Sequence, residues 1–233
     1  MEPNRLSKIL AKAGVASRRA AESLIVAGKV RVNDAVVTVP QTIVDSEKDQ
    51  IYVEDRPVTP SGEKVYYILN KPRGFICSNK PVGRKKLVID LFAEIEERLF
   101  TIGRLDRDTT GLLLLTNDGH FAQEVIHPSK NIRKEYLVKT EQQIGHEHLR
   151  QLSKGTLIEG KWTRPVKVTK VRRGTLKIVV KEGKKREVRL MIRDKGLKPL
   201  SLSRIRIGGL RLGRLNEGEW RVLTEKERAL IFA

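Results

Sequence analysis

The sequence predicts an α+β protein of two domains: a small helix–helix–hairpin domain, then a larger domain built on a mixed, largely antiparallel sheet. A segment rich in turn formers, residues 57–64, marks the boundary between them. Beyond it, short strand-like runs alternate with short helices too irregularly for a doubly wound parallel sheet. We therefore place the domains at residues 1–60 and 65–233, with a linker at 61–64.

The first domain is predicted to contain two helices followed by a hairpin. Apolar side chains recur at helical spacing over residues 6–13, and a glycine follows as a stop. Ser17 precedes a second amphipathic stretch as its N-cap, and Gly28 ends that stretch. Valines then alternate on both sides of an Asn-Asp turn at 33–34, which predicts two short antiparallel strands.

The second domain is predicted from hydrophobic periodicity and turn signals. The expected strands cover residues 65–69, 75–78, 99–102, 112–116, 135–140, 166–171, 176–181, 200–207 and 219–223. The expected helices cover residues 120–126, 146–152, 186–194 and 225–231. A capping box from Thr224 to Glu227 introduces the last helix.

Composition indicates a polyanionic partner. The chain holds 47 Lys and Arg against 28 Asp and Glu, a formal net charge of +19. Such an excess destabilises a compact protein by self-repulsion unless an anion balances it, and nucleic acid is the first candidate. An anionic membrane is the rival, but no apolar stretch approaches the roughly 20 residues of a spanning helix. We therefore expect RNA as partner and no membrane.

Two further features suit a cytoplasmic protein. The amino terminus lacks the apolar core of a signal peptide. Cys77 is the single cysteine, which excludes an internal disulfide and fits a reducing compartment. We expect a cytoplasmic monomer.

Basic side chains on the first domain favour binding to RNA phosphates. Contacts of this kind position a protein on its nucleic acid without reading sequence. Segments 5–19 and 28–33 also resemble the ribosomal protein S-four RNA-binding domain, and this resemblance implies recognition of structured RNA. The alternative is a merely solvated helix pair. The candidate residues are Arg5, Lys8, Lys12, Arg18, Arg19, Lys29 and Arg31.

The loop over residues 103–111 is the strongest candidate for chemistry. It follows one short apolar strand and precedes another, and it places Asp106 between Arg104 and Arg107. A carboxylate flanked by cations is expected to stay ionised, because nearby positive charge favours the charged form. Such an aspartate can act as nucleophile, base or metal ligand. Asp106 and Asp108 can equally be ordinary turn residues, since aspartate is common in turns.

Three segments, in order, resemble the RNA pseudouridine synthases. The first is the loop GRLD at 103–106 with TGLLLLTNDG at 110–119. The second joins His-Pro-Ser at 127–129 to Lys-Glu-Tyr at 134–136, and the third is EGKKREVR at 182–189. The resemblance extends over essentially the whole chain. It implies isomerisation of a ribosomal RNA uridine to pseudouridine, without cofactor or metal.

The resemblance also implies roles for individual residues. Asp106 is the nucleophile, adding either to carbon 1′ of the ribose or to carbon 6 of the base. Arg104 fills the space left by the flipped nucleotide, whose extraction costs a few kcal/mol. Tyr136 stacks on the uracil. Arg189 pairs with Asp106 and keeps it charged, while Val188 or Leu190 offers an apolar wall.

Further RNA contacts are expected from three other basic residues. Lys71 and Arg73 lie in a Lys-Pro-Arg-Gly turn that resembles a turn of the family, and Arg186 lies in the third family segment. The motif variants favour large-subunit, 23S-type rRNA as substrate over small-subunit, 16S-type rRNA.

Two other classes of function are alternatives. Residues 106–110 fit the Asp-x-Asp-x-Thr pattern of phosphotransferases of the haloacid dehalogenase type, in which paired carboxylates hold magnesium. A non-catalytic RNA-binding factor for ribosome assembly would explain the charge and the first domain equally well. It would not explain why Asp106, Tyr136 and Arg189 occur in this order along the chain.

Overall fold

The structure is a computed structural model that describes residues 3–59 and 62–233. It divides into two compact units. The first comprises the chain up to Val65 together with Glu96–Arg98 and Asn117–Gly119, and the second comprises the rest. Of the predicted linker at 61–64, Ser61 lies outside the described residues.

The first unit contains two helices and six short strands. In chain order these are β1 (Asn4–Arg5), α1 (Leu6–Lys12), α2 (Arg18–Val26), β2 (Val30–Val32), β3 (Ala35–Val36), β4 (Ile43–Val44), β5 (Ile51–Val53) and β6 (Arg56–Pro57). The Ser17 side chain accepts a hydrogen bond from the Ala20 amide, so the predicted N-cap is confirmed. Strands β2 and β3 form the predicted hairpin, which completes the helix–helix–hairpin order.

The remaining elements follow from Tyr66 onward. The strands are β7 (Tyr66–Lys71), β8 (Phe100–Ile102), β9 (Thr110–Thr116), β10 (Lys134–Thr140), β11 (Thr156–Ile158), β12 (Lys161–Thr163), β13 (Lys167–Arg172), β14 (Thr175–Val180), β15 (Pro199–Ile207), β16 (Leu210–Arg211) and β17 (Trp220–Val222). The helices are α3 (Gly119–Ile126), α4 (His146–Lys154), α5 (Glu187–Asp194) and α6 (Glu225–Leu230). Single 3-10 turns occur at Val88–Phe92 and Pro128–Lys130.

A nine-stranded mixed sheet organises the second unit. Its main path runs β13-β14-β10-β15-β9-β7-β17, with β16 beside β15 and β8 beside β9. All its pairs are antiparallel except β15 with β9. The predicted mixed, largely antiparallel sheet is therefore confirmed.

Gly111 makes the parallel junction between β9 and β15 possible. A Cβ atom at this position would lie 2.3 Å from the Arg204 carbonyl oxygen, and the backbone φ is +102°. A side chain would force the two strands apart. The glycine therefore sets the spacing between the strand that follows the Asp106 loop and the strand that carries Arg204.

Two local predictions in the second unit differ from the structure. Residues 75–78 form no strand; Ile76 takes part only in an isolated bridge with Leu87, and Cys77 turns toward Leu105. The hairpin of β11 and β12 was not predicted, because its strands have only three residues each. No helix in residues 3–59 or 62–233 is long and apolar enough to cross a membrane.

Candidate active site

Asp106 lies on a loop that connects two strands of the large sheet. The loop leaves β8 at Gly103, whose φ is +71°, and enters β9 after Thr109. The Thr109 amide donates to the Asp106 carbonyl at 3.0 Å and closes a turn around Arg107 and Asp108. Leu105 and Thr109 are buried, whereas the Asp106 side chain is exposed. The loop thus exposes the carboxylates of Asp106 and Asp108, while Leu105 and Thr109 are held inside the protein.

Lys71, the last residue of β7, holds the loop from below. Its side chain is fully buried, and its Nζ donates to the carbonyl oxygens of Pro72 and Thr109 at 3.0 Å and of Arg107 at 3.4 Å. Burial lowers the pKa of Lys71, while nearby Cys77 and the loop carboxylates act in the opposite direction. The RNA contact predicted for Lys71 is wrong, because its ammonium is enclosed and bonded to backbone oxygens. Arg73 is exposed, so the RNA contact predicted for Arg73 remains a prediction.

Arg189 holds the other side of the same loop. It lies on α5, is buried, and donates from Nη2 to the Asp108 carbonyl at 2.8 Å and to the Thr109 hydroxyl at 3.2 Å. The predicted direct pair with the Asp106 carboxylate is absent from the ion pairs of the described residues. Burial lowers the pKa of Arg189, and the charges of Asp106 and Asp108 oppose this shift. Arg189 thus acts on Asp106 through the loop backbone and through its charge.

Cys77 contributes a third anchor. Its Sγ accepts from the Leu105 amide at 3.4 Å and lies 3.5 Å from the Leu105 carbonyl. Burial raises the pKa of the Cys77 thiol, so the neutral form is favoured beside the loop. The backbone is therefore fixed on both sides of Asp106. Sequence motifs include Arg189 and Lys71, but no pattern in the sequence marks Cys77 as an anchor.

The exposed side of the loop faces a cavity of about 1130 Å³. Predicted site residues from three segments line it: Arg104, Asp106, Tyr136 and Arg186. Val188 also lines the cavity, whereas Leu190 points to solvent, so of the two expected apolar walls the structure supports Val188. Arg189 and Lys71 lie outside the lining, behind the loop.

Tyr136 is the aromatic residue in this cavity. It lies in the middle of the sheet on β10, opposite Ile178 on one neighbouring strand and Arg204 on the other. Its side chain is buried. A planar base that enters the cavity can therefore meet an aromatic ring held rigidly by the sheet.

The predicted basic residues of the first unit are on its surface. All of Arg5, Lys8, Lys12, Arg18, Arg19 and Lys29 are exposed, and Arg31 is partly exposed. Lys29 forms an ion pair with Glu54, and Arg31 lies 3.6 Å from Asp55. Arg18 and Arg19 begin helix α2, so two adjacent cations project from one end of a helix.

The metal-dependent alternative lacks its ligands in the part of the chain that the structure describes. No three His, Cys, Asp or Glu side chains there come together in a group that could hold a metal ion. Asp108 instead lies 3.5 Å from Arg107. The Asp-x-Asp-x-Thr pattern of a phosphotransferase is present in sequence without the third acidic group that such a site needs.

Comparisons with known proteins identify the family to which the chain belongs. The family model described as RNA pseudouridylate synthase matches residues 65–194, and the S4 domain matches residues 4–61. A ribosomal large subunit pseudouridine synthase B from Bacillus subtilis is 42% identical, over 96% of this chain and 93% of its own length. A crystal structure of a pseudouridylate synthase superposes with a TM-score of 0.72 at 31% identity, covering 98% of this chain and 99% of that chain.

A longer relative gives the same result. A chloroplast protein of Arabidopsis thaliana, named for ribosomal large subunit pseudouridine synthase, is 45% identical over 91% of this chain. This chain spans 56% of that protein's length. An S4 domain precedes a synthase domain in this chain, as the two family models show. The fold is shared with a solved synthase, and the identities to relatives extend over nearly the whole chain. The chain therefore belongs to the RNA pseudouridylate synthase family.

Proposed function

We propose that this protein converts a uridine of large-subunit ribosomal RNA into pseudouridine, with Asp106 as the nucleophile. The observation that carries the proposal is the loop itself. Its backbone is anchored at Leu105, Arg107, Asp108 and Thr109. Of its two carboxylates, Asp106 lines the cavity that holds Tyr136 and Asp108 does not. The names of the relatives favour the large subunit.

The reaction is an isomerisation whose atoms balance within one nucleotide. The bond between carbon 1′ and the base nitrogen breaks, the uracil turns, and a bond forms between carbon 1′ and carbon 5. The hydrogen of carbon 5 is lost and the freed nitrogen gains one. A fixed carboxylate can assist by adding to carbon 1′ or to carbon 6, since both are electrophilic. The anchored loop reduces the freedom that Asp106 would lose on attack.

The other residues of the cavity supply binding and retention. Tyr136 offers a ring on which the base stacks, a contact of roughly 1–3 kcal/mol that also holds the detached uracil. Arg104 is exposed at the mouth of the cavity and can occupy the space left by the extruded nucleotide. Arg186 and Arg73 are exposed and available to phosphates.

The first unit is proposed to contribute affinity for structured RNA. Its exposed cations bind phosphates and position the substrate without taking part in chemistry. The protein is further proposed to act as a cytoplasmic monomer. The free thiol of Cys77 fits a reducing compartment.

The deciding variant is Asp106→Asn, which keeps the size of the side chain and removes its charge and nucleophilicity. Pseudouridines are mapped in 23S-type and 16S-type rRNA incubated with the parent protein and with the variant. We expect one or more new pseudouridines in the larger RNA with the parent and none with Asp106→Asn. RNA affinity is expected to be equal or higher, because a carboxylate near phosphates has been removed.

Asp108→Asn is the matched control, because Asp108 contributes its carbonyl to the Arg189 contact and keeps it in the variant. It is expected to retain most of the activity. Modification of the smaller RNA alone would assign the small-subunit substrate instead. An Asp106→Asn protein that works near the parental rate would sink the nucleophile assignment, and a parent with no activity on either RNA would favour a binding factor.

A further inference from the structure

Arg204 is a buried cation in the active-site cavity, and none of the sequence motifs includes it. It lies on β15, lines the cavity, and is 5% exposed. It stands directly opposite Tyr136 in the antiparallel ladder of β15 and β10. Opposed residues of such a ladder project from the same face of the sheet, with Cβ atoms about 4.5–5.5 Å apart. Any group that lies against the Tyr136 ring is therefore within reach of the Arg204 side chain.

The guanidinium of Arg204 is only partly satisfied by the protein. Its Nε donates to the Leu112 carbonyl at 2.8 Å, which fixes the side chain against β9. Its Nη2 is buried and has no hydrogen-bond partner among the described residues. A buried donor without an acceptor is rare in folded proteins, because its desolvation is not compensated.

No acidic side chain of the described chain lies within ion-pair distance of Arg204. The charge of Arg204 acts on Lys134 and Cys77, and the charge of Glu187 acts on Lys134. Arg204 and burial both lower the pKa of Lys134, and burial raises the pKa of Glu187. The side chains that line the cavity include more basic than acidic groups. The missing acceptor is therefore an atom from outside the protein chain, either a water or a ligand that displaces it.

We propose that the terminal N–H groups of Arg204 donate to a carbonyl oxygen of the target uracil. This inference rests on the proposed function. A base oxygen suits the position better than a phosphate does, because Arg204 is buried beside Tyr136. The exposed Arg104 and Arg186 at the cavity surface are better placed for phosphates.

Such a contact would also select the base. Uracil presents two carbonyl acceptors, at O2 and O4, whereas cytosine carries an amino donor in place of O4. Guanidinium groups only donate, so an Arg204 that faces the O4 edge accepts uracil and rejects cytosine. A contact to either oxygen would also stabilise negative charge on the uracil as the glycosidic bond breaks.

The test compares the mapped uridine in a short rRNA fragment with 2-thiouridine and 4-thiouridine at the same position, because sulfur is a weaker acceptor than oxygen. With the parent protein, we expect one of the two substitutions to slow pseudouridine formation about tenfold. Arg204→Met is expected to be about 10- to 100-fold slower on uridine and to have lost its sensitivity to that substitution. Arg204→Lys is expected to lie between the two proteins.

Arg206→Met is the matched control on the same strand. Arg206 binds Glu135 and the Gly208 carbonyl, and it does not line the cavity, so its variant should keep the response to sulfur. The proposal is overturned if neither thio substitution slows the parent, or if one slows the parent and Arg204→Met equally. A lower salt dependence of RNA binding in Arg204→Met with an unchanged rate would assign a phosphate contact and also overturn it.

These outcomes are separable from failure of the proposed function. A parent that forms no pseudouridine in any rRNA contradicts that function itself. An active parent with no response to sulfur contradicts only the role of Arg204. The thio comparison on the parent needs no variant. It can therefore contradict the proposal even if Arg204→Met does not fold.

Discussion

The Asp106 loop and the first unit both depend on basic residues, but they use them in opposite ways. Beneath the loop, Lys71 and Arg189 are buried and bonded to backbone oxygens. On the first unit, residues such as Arg18 and Arg19 are exposed. A buried cation fixes the shape of a backbone, whereas an exposed one can bind a phosphate and release the counterion that had neutralised it. Net charge therefore indicates the class of partner, and the burial of each basic side chain determines whether it can contact that partner.

The largest effect is expected at Lys71. Lys71→Met removes the donor from three carbonyl oxygens, and each unsatisfied acceptor costs about 1–3 kcal/mol. We expect the free energy of unfolding in urea to fall by at least about 3 kcal/mol and pseudouridine formation to be nearly abolished. Arg73→Met, two residues away and exposed, should change stability by less than about 0.5 kcal/mol. Equal free energies of unfolding for the two variants would contradict the claim that buried cations stabilise the fold and exposed ones do not.

A smaller effect, on binding alone, is expected in the first unit. Replacing Arg18 and Arg19 with Gln removes two exposed cations without touching the cavity. The slope of log affinity against log salt should fall by about 0.7–0.9 for each phosphate that is no longer neutralised, and turnover at saturating RNA should not change. The control is Lys48→Gln, since Lys48 is exposed and lies 3.7 Å from Asp45. An unchanged slope in the double variant would show that Arg18 and Arg19 do not bind RNA phosphates.

The smallest effect concerns a partly exposed pair that sharpens the comparison. Arg221 bonds both oxygens of Glu227, and this contact lowers the pKa of Glu227 to about 2. The ionised carboxylate therefore contributes stability above its ordinary pKa near 4.5, and the contribution disappears as pH falls toward 2. Glu227→Gln should lower the free energy of unfolding by about 1 kcal/mol at pH 7.

The difference between Glu227→Gln and the parent should shrink as pH falls through this range, because a protonated Glu resembles Gln. Urea titrations at several pH values measure it. Glu225→Gln, on the same helix, is the control for the loss of one negative charge. A difference that persisted at pH 2 would assign the effect to packing and not to charge.

Elements with local causes were predictable from the sequence. The Ser17 cap and the capping box from Thr224 to Glu227 are both present, since they depend on residues three positions apart. The strand predicted at 75–78 failed because that segment bonds to Leu105 and Leu87, far along the chain. Periodicity contains no information about such partners.

The same limit applies to the candidate site. The loop motif led to Asp106 and Arg104, and Tyr136 was named from the second family segment. The burial of Lys71 and the free donor of Arg204 depend on strands that meet only in the folded sheet. From the sequence, Lys71 was therefore predicted to contact RNA, whereas in the structure it binds the backbone of the Asp106 loop.

The loop anchors have a consequence for the order of folding. Lys71 reaches Arg107 across 36 residues and Arg189 reaches Asp108 across 81. Contacts between residues so far apart in the chain form late, because the closure entropy of the intervening segments opposes them. Asp106 is thus presented only after β7, β9 and α5 have met. A chain in which these three elements have not met therefore lacks the positioned carboxylate on which the proposed reaction depends.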